Sequence, residues 1–252
     1  MNKINEQFAE KIAAFISEKA TDYLDITEKK FSNTKVNTSV GCQEHTPSKS
    51  KYTNIERECY LKSDISKKLD GRFDDENSNR YIVSQWGGIY IKDIKSFCEK
   101  AEAFKNDLEN GECSLDCISS LSKVAAFAHP DKYFIYDSRV AYSLDWLLFK
   151  SGYEGEYFPV PESQVKVVRE YSIETVIRLS DKTISEKKST KSVYLTYCEL
   201  VQSIHASLIK KDSLNFGHFE SKPFIVEMIL YSITETLIEE MKNNISLGLK
   251  II

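Results

Sequence analysis

Lys123 and Asp137 lie fourteen positions apart in a segment whose residue types could support covalent chemistry. Lys123 lies near the start of a predicted helix of small residues, and Asp137 immediately precedes the next predicted helix. A carboxylate stabilises positive charge that develops on a nearby carbon, and a neutral amine is a nucleophile toward such a carbon. A helix N-terminus disfavours a protonated amine, so this position favours the neutral form of Lys123. The pair predicts a reaction at a cationic carbon.

Each residue of this pair also has a common structural role. An aspartate ahead of a helix is most often an N-cap, and an isolated lysine is most often solvated at the surface. The two roles of Asp137 are compatible, because a capping carboxylate already points toward the mouth of its helix. Pro130 disfavours helix at the residue before it, so 129–137 forms a turn that can bring both helices to one cleft.

Helical periodicity dominates the chain and predicts an all-α, mainly helical fold. Apolar residues recur at three- and four-residue steps within 4–30, with charged residues on the opposite face. The apolar run 81–90 is broken by Gly87 and Gly88, which predicts a tight turn before the next helix. A short β element elsewhere in the all-α chain stays open as an alternative. Further helices are predicted over about 53–69, 91–109, 114–128, 138–150, 163–179, 192–210 and 223–242.

The chain is long enough to bury a sizeable core, and we expect one compact unit over 1–252. Within it, 1–35 is expected to form an N-terminal helical segment. Thr, Ser, Asn, Gly and Pro are frequent in 32–52, which predicts a flexible connector there. The core that carries the lysine and the aspartate is expected to span 80–150.

The net charge of −4 argues against a protein that coats nucleic acid without specificity, although a local basic groove stays compatible with it. Two basic clusters occur, and each is either a solvated face or a track for a DNA backbone. Their members are Lys49, Lys51, Arg57, Lys62, Lys67 and Lys68 in the first, and Lys187, Lys188, Lys191, Lys210 and Lys211 in the second.

Targeting signals and metal motifs are not found in the sequence. No stretch approaches the roughly 20 apolar residues that a membrane span needs, and the N-terminus lacks the apolar core of a signal peptide. We therefore expect a cytoplasmic protein with no membrane partner, whose six cysteines are free thiols. Cys113 and Cys117 have no second Cys or His pair nearby at zinc-ligand spacing, so no metal site is expected.

The segment around the reactive pair resembles the helix-hairpin-helix DNA glycosylases, most closely the bacterial proteins described as 8-oxoguanine DNA glycosylase-like. In that superfamily a lysine opens the helix after the hairpin in a Lys-Val-Ala type sequence, and a catalytic aspartate lies just ahead of the next helix. Lys123, Val124, Ala125 and Asp137 match those positions. The strong resemblance covers about 80–150, and further similar stretches are 86–89, 134–140 and 226–228.

Two departures from the superfamily pattern bear on the substrate. The glycine-rich hairpin is replaced by 118–122, which contains no glycine, so its amides would hold a DNA phosphate differently. The spacing from Lys123 to Asp137 is also shorter than in the eukaryotic enzymes. These differences put the identity of the excised base in doubt more than the fold.

The resemblance implies a two-lobed architecture with the active site between the lobes. It implies a glycosylase that flips a damaged or modified base out of double-stranded DNA and excises it, without metal or cofactor. Lys123 would be the amine nucleophile, and its Schiff base would permit strand cleavage, an AP-lyase activity. Asp137 would stabilise the sugar cation.

Other residues are candidates for contacts with the base or the DNA. Gly87 most simply meets a demand of backbone geometry, with a groove-lining role as the alternative. Arg139 is a candidate phosphate contact, and the alternative is an ion pair with an acid such as Asp131. Four aromatic residues are candidates for the base pocket or for a wedge that enters the DNA stack: Trp86, Phe127, Tyr133 and Tyr136.

Three functional hypotheses stay open on the sequence. The first is the bifunctional glycosylase, and the second is a monofunctional one in which Asp137 acts with water and Lys123 only positions DNA. In either, the target could be an oxidised host base in DNA repair or a modified base in phage DNA, as part of antiviral defence. The third is a non-catalytic helical module that binds DNA or a protein and keeps only the fold. We take a monomer as the default state.

Overall fold

The computed structural model describes residues 3–33, 52–180, 192–211 and 222–244. In these ranges the α-helices are α1 (Lys3–Glu18), α2 (Ala20–Lys30), α3 (Asn54–Leu69), α4 (Glu76–Asn79), α5 (Ile94–Glu109), α6 (Ile118–Ala128), α7 (Ser138–Lys150), α8 (Lys166–Glu170), α9 (Ile173–Leu179), α10 (Val193–Lys210), α11 (Phe224–Ser232) and α12 (Thr234–Asn244). The described residues form no β-sheet, so the expected all-α class is confirmed.

The described residues contain no strand, so the alternative of a short β element is not realised in them. Where the sequence predicts a tight turn in 81–90, a π-helical turn occupies Arg80–Trp86. Its widened hydrogen bonding shows in two bonds at its end. The amide of Gly87 donates to the carbonyl of Ile82 at 3.0 Å, and the amide of Ile89 donates to the carbonyl of Val83 at 2.9 Å. Such π-turns are rare and often lie at functional sites. Trp86 at its end and Gly87 directly after it line the pocket described below.

Several predicted helices are shorter or divided in the structure. The predicted helix 4–30 breaks at Lys19 between α1 and α2, and the one over 163–179 is divided into α8 and α9. Helix α6 begins at Ile118 rather than at 114, because Cys117 adopts a left-handed backbone conformation with φ 56°. With α6 spanning Ile118–Ala128, Lys123 lies near the middle of the helix and not in its first turn, which corrects the expectation that it lies near the helix start.

Helices α6 and α7 form the centre of the fold, and almost all of their residues are buried. A helix that is apolar around most of its circumference must be enclosed by others. Here α3 and α5 pack against α6, while α11 and α12 pack against α7. The N-terminal segment docks on the body, with α1 along α10 and α2 against α11.

The described ranges leave some sequence predictions outside them. Residues 34–51 of the predicted connector lie outside, and so do five members of the basic clusters: Lys49, Lys51, Lys187, Lys188 and Lys191. Among the helices that are described, none has both the length and the apolar character of a bilayer-spanning helix.

Candidate active site

A pocket of about 390 Å³ opens where α3, α6 and α11 meet the π-helical turn and the start of α7. Its volume lies in the range of about 300–1,000 Å³ that is typical of small-ligand sites. The charged and aromatic lining residues are Lys30, Phe31, Glu58, Lys62, Trp86, Lys123, Phe127, Asp137, Glu227 and Tyr231. Four sequence candidates, Lys123, Asp137, Trp86 and Phe127, are therefore brought together here, and Gly87 lines the same pocket.

The side chain of Lys123 is nearly enclosed, with a relative exposure of 6%. Its Nζ donates to the carbonyl of Ser119 at 2.8 Å and lies 3.8 Å from Oδ2 of Asp137. Burial lowers the pKa of this amine from its ordinary value of 10.5, whereas Asp137 and Glu227 oppose that change and Lys62 adds to it. The expected shift toward a neutral amine is found, but its cause is burial and not the helix N-terminus.

Asp137 caps α7, as predicted, and its second carboxylate oxygen faces the pocket. Its Oδ1 accepts hydrogen bonds from the amides of Arg139 at 3.0 Å and Val140 at 3.1 Å, and so caps α7. Its Oδ2 is directed to the Lys123 side of the pocket. The cap fixes the carboxylate in place, because two amides hold one oxygen while the other faces the amine.

A second buried pair, Lys62 of α3 and Glu227 of α11, lies in the same pocket. Nζ of Lys62 is 3.2 Å from each carboxylate oxygen, and both side chains are only 5% exposed. Oε2 of Glu227 also accepts from the amide of Ile135 at 2.8 Å. Burial raises the pKa of Glu227, while Lys62 and the Ile135 amide act against that rise.

The sequence analysis does not predict that Lys62 and Glu227 form a buried pair in the pocket. Lys62 was assigned to a basic cluster with a solvated face or a DNA track as its role, and the structure corrects this by burying it. Its ammonium lies 4.8 Å from the ring centroid of Phe224 and 5.6 Å from that of Phe127. A usable signal was available, because Glu227 is a lone acid in the apolar run 224–231. A buried acid in such a run requires a partner.

Aromatic and glycine residues line the pocket beside these charges. Trp86 and Phe127 meet edge to face with ring centroids 5.0 Å apart, and Nε1 of Trp86 donates to Glu58 at 3.0 Å. A Cβ atom at Gly87 would lie 2.9 Å from Cδ of Lys123 and 2.8 Å from the carbonyl of Ile82. Glycine is required here because a Cβ would clash with the backbone carbonyls of Ile82 and Val83, each at 2.8 Å, and would also press on the Lys123 side chain.

Tyr133 and Tyr136 lie in the core and do not line the pocket, which corrects their assignment as base-binding or wedge residues. Tyr136 is fully buried, and its hydroxyl donates to the carbonyl of Pro159 at 2.6 Å. Tyr133 is 3% exposed and stacks near Tyr194. The near-extended chain before Asp137 directs neighbouring side chains to opposite faces, so Tyr136 enters the core where Asp137 enters the pocket.

Arg139 pairs with Glu235 near the pocket, and its guanidinium lies 5.3 Å from the ring centroid of Tyr231. The alternative that Arg139 forms an ion pair with an acid is therefore found, with Glu235 as the acid. Asp131, the example given from the sequence, pairs instead with Lys222 at 3.0 Å. A contact between Arg139 and a DNA phosphate stays a prediction.

Among the described residues, no group of three or more His, Cys, Asp or Glu side chains is arranged to hold a metal ion. Comparisons with protein-family models, curated proteins and solved structures give no match to the chain. The chemistry of the pocket must therefore be argued from its own residues.

Proposed function

We propose that this chain is a DNA glycosylase that flips a damaged or modified base out of duplex DNA and excises it. The observation that carries the proposal is the approach of Lys123 Nζ to within 3.8 Å of Asp137 Oδ2 at the wall of a pocket of about 390 Å³. A nearly buried amine with a lowered pKa beside a fixed carboxylate is the combination that attack on a sugar carbon needs.

The reaction assigned to these residues has two stages. In the first, the C1′–N bond to the base breaks, the base leaves with the bonding electrons and takes up a proton, and Asp137 stabilises the positive charge on the sugar. The neutral amine of Lys123 forms a bond to C1′ and gives up a proton. In the second, the C1′–O4′ bond breaks, O4′ takes up the proton that the amine gave up, and C1′ and Nζ form a protonated imine. Loss of a proton from C2′ to a base then breaks the C3′–O bond, and the 3′ phosphate leaves with its electrons.

The aromatic wall of the pocket supports the binding of an extruded base. Flipped bases are commonly held against aromatic side chains, and Trp86 and Phe127 provide such surfaces next to Lys123. The proposal includes the two-lobed helix-hairpin-helix architecture with the pocket between the lobes. It also includes duplex DNA as the partner, a monomeric enzyme and a cytoplasmic location.

One observation favours the monofunctional alternative. Nζ of Lys123 is already bonded to the carbonyl of Ser119, whereas Oδ2 of Asp137 faces the pocket, where it could activate a water molecule. In that mechanism the base is released and the abasic strand stays intact.

A panel of duplexes, each with a single oxidised, alkylated or hypermodified base, tests the proposal. The proposal expects base release from at least one duplex, followed by strand cleavage without heat or alkali. Release that needs alkali for cleavage would favour the monofunctional enzyme. Absence of release across the panel, with full biological effect in a Lys123→Ala and Asp137→Ala double variant, would favour the non-catalytic module.

A further inference from the structure

Two lysines and two carboxylates share the candidate site, and their pairing is unequal. Lys62 on α3 and Lys123 on α6 are both almost fully buried, and the two helices pack against each other. Lys62 holds both oxygens of Glu227 at 3.2 Å. The nearest carboxylate oxygen to Nζ of Lys123 in the described chain is that of Asp137, at 3.8 Å. This separation is longer than a hydrogen bond.

The hydrogen bonds that each carboxylate already accepts explain why Lys62 is tightly paired and Lys123 is not. Glu227 accepts from Lys62 through both oxygens and from the amide of Ile135 through one, and it forms no ion pair with Lys123 within 4 Å among the described residues. One oxygen of Asp137 is used in capping α7. The closest acceptor to the amine of Lys123 is accordingly the neutral carbonyl of Ser119, which holds the amine without demanding a positive charge.

We propose that Lys62 is a positioning residue that acts through Lys123. By holding Glu227, it keeps that carboxylate from drawing the Lys123 amine into a tight ion pair, and its own charge disfavours a second ammonium in the same pocket. The cation itself is fixed by Glu227 and by the rings of Phe127 and Phe224. The effect of Lys62 on the protonation of Lys123 does not depend on the proposed function. Only its consequence, that Lys123 is available as a nucleophile, rests on that function.

Other charges also face Lys123 from the elements around the pocket. Lys30 lies at the end of α2, Glu58 precedes Lys62 by one turn on α3, Asp137 precedes α7, and Tyr231 follows Glu227 on α11. The effects of Lys62 and Glu227 on the pKa of Lys123 can be distinguished from the effects of these other groups, because Lys62 and Glu227 change that pKa in opposite directions. Lys62 lowers the pKa of Lys123, and Glu227 raises it.

The test measures the protonation of Lys123 directly, in protein labelled with [ε-13C]lysine and titrated by NMR. The resonance of Lys123 is identified by its loss in Lys123→Gln. We expect Lys62→Met to raise the titration midpoint of Lys123 by about one pH unit, and Glu227→Gln to lower it by about as much. Lys62→Arg keeps the charge and is expected to leave the midpoint unchanged, as is the exposed control Lys132→Met.

Opposite shifts of the Lys123 titration midpoint in Lys62→Met and Glu227→Gln distinguish a positioning role of Lys62 from a purely structural one. Both variants break the same ion pair, so loss of packing alone would move the midpoint in one direction in both. Should Lys62→Met fail to fold, Glu227→Gln keeps the shape of the side chain, and a midpoint that stays or rises in it overturns the inference. Because the titration needs no DNA, it stands or falls independently of base excision.

Discussion

The α3–α11 side of the pocket and its α6–α7 side each hold one buried lysine and one carboxylate, but the two pairs differ in tightness. Lys62 contacts both oxygens of Glu227, whereas Lys123 stays 3.8 Å from Asp137. A tight buried pair satisfies its charges and has little left for a substrate. The loose pair keeps an amine and a carboxylate oxygen available. The same pairing of a lysine with a carboxylate is therefore closed on one side of the pocket and open on the other, and the proposed function assigns the chemistry to the open pair.

The largest effect is expected on the loose pair. We expect Lys123→Gln to reduce borohydride trapping of a covalent DNA adduct at least about a thousandfold, because the nucleophile is removed. Lys132→Gln, an exposed lysine in the turn after α6, is the matched control and is expected to trap normally. Trapping by Lys123→Gln at the rate of the unaltered protein would show that another amine is the nucleophile.

The tight pair is expected to dominate stability instead. Lys62→Met should reduce the free energy of unfolding by about 3–5 kcal/mol, since the Glu227 carboxylate then stays buried with the Ile135 amide but without a cation beside it. Lys123→Met should change it by no more than about 1 kcal/mol, because the burial of that amine is itself unfavourable. Chemical denaturation of both variants measures the difference, and a double variant with Lys62→Met and Glu227→Met is expected to recover most of the loss. Equal losses in the two single variants would contradict the distinction.

The two roles of Asp137 can be separated by substitution. Asp137→Asn keeps an N-capping side chain but removes the charge, so excision should fall about 100- to 1,000-fold while stability is nearly unchanged. Asp137→Ala should lose the same activity and about 1 kcal/mol of stability in addition. Single-turnover excision and thermal unfolding measure the two effects. Normal excision by Asp137→Asn would leave the carboxylate with a capping role only.

The smallest effect concerns the two neighbouring glycines. A methyl group at Gly87 would clash with the backbone carbonyls of Ile82 and Val83 at 2.8 Å and press on Cδ of Lys123 at 2.9 Å. Gly87→Ala is therefore expected to reduce stability by shifting the π-helical turn and to slow trapping about tenfold by displacing the amine. A Cβ at Gly88 meets nothing within 4 Å, but the residue has φ +69°, so Gly88→Ala should cost about 1 kcal/mol of stability and leave trapping intact. Borohydride trapping and chemical denaturation of both variants measure these effects. Equal trapping by the two variants would show that Gly87 does not position the Lys123 amine.

Local sequence patterns predicted the helices and half of the site. The bounds of α3 and α7 were found within one residue, because Thr53 and Asp137 are strong N-caps with apolar periodicity after them. The break at Lys19 was missed, since no glycine or proline marks it. The π-helical turn was also missed, because Gly87 and Gly88 are equally typical of an ordinary turn.

The charged wall of the pocket could not be predicted in the same way. Lys62 and Glu227 are 165 positions apart and meet only because α3 and α11 both pack beside the central helices. Local periodicity contains no information on such long-range packing. The prediction that Tyr136 lines the pocket is wrong for a related reason. The direction of one side chain in 129–137 depends on how the whole turn packs against the surrounding helices.

The most direct test of the central claim is to locate the covalent bond. The protein is incubated with a duplex that it excises, treated with borohydride, digested with trypsin and examined by mass spectrometry. The account predicts a sugar adduct on Lys123, within the peptide 106–132 that results because trypsin does not cut at a modified lysine. An adduct on a different lysine or on the N-terminal amine, with Lys123 unmodified, would contradict it.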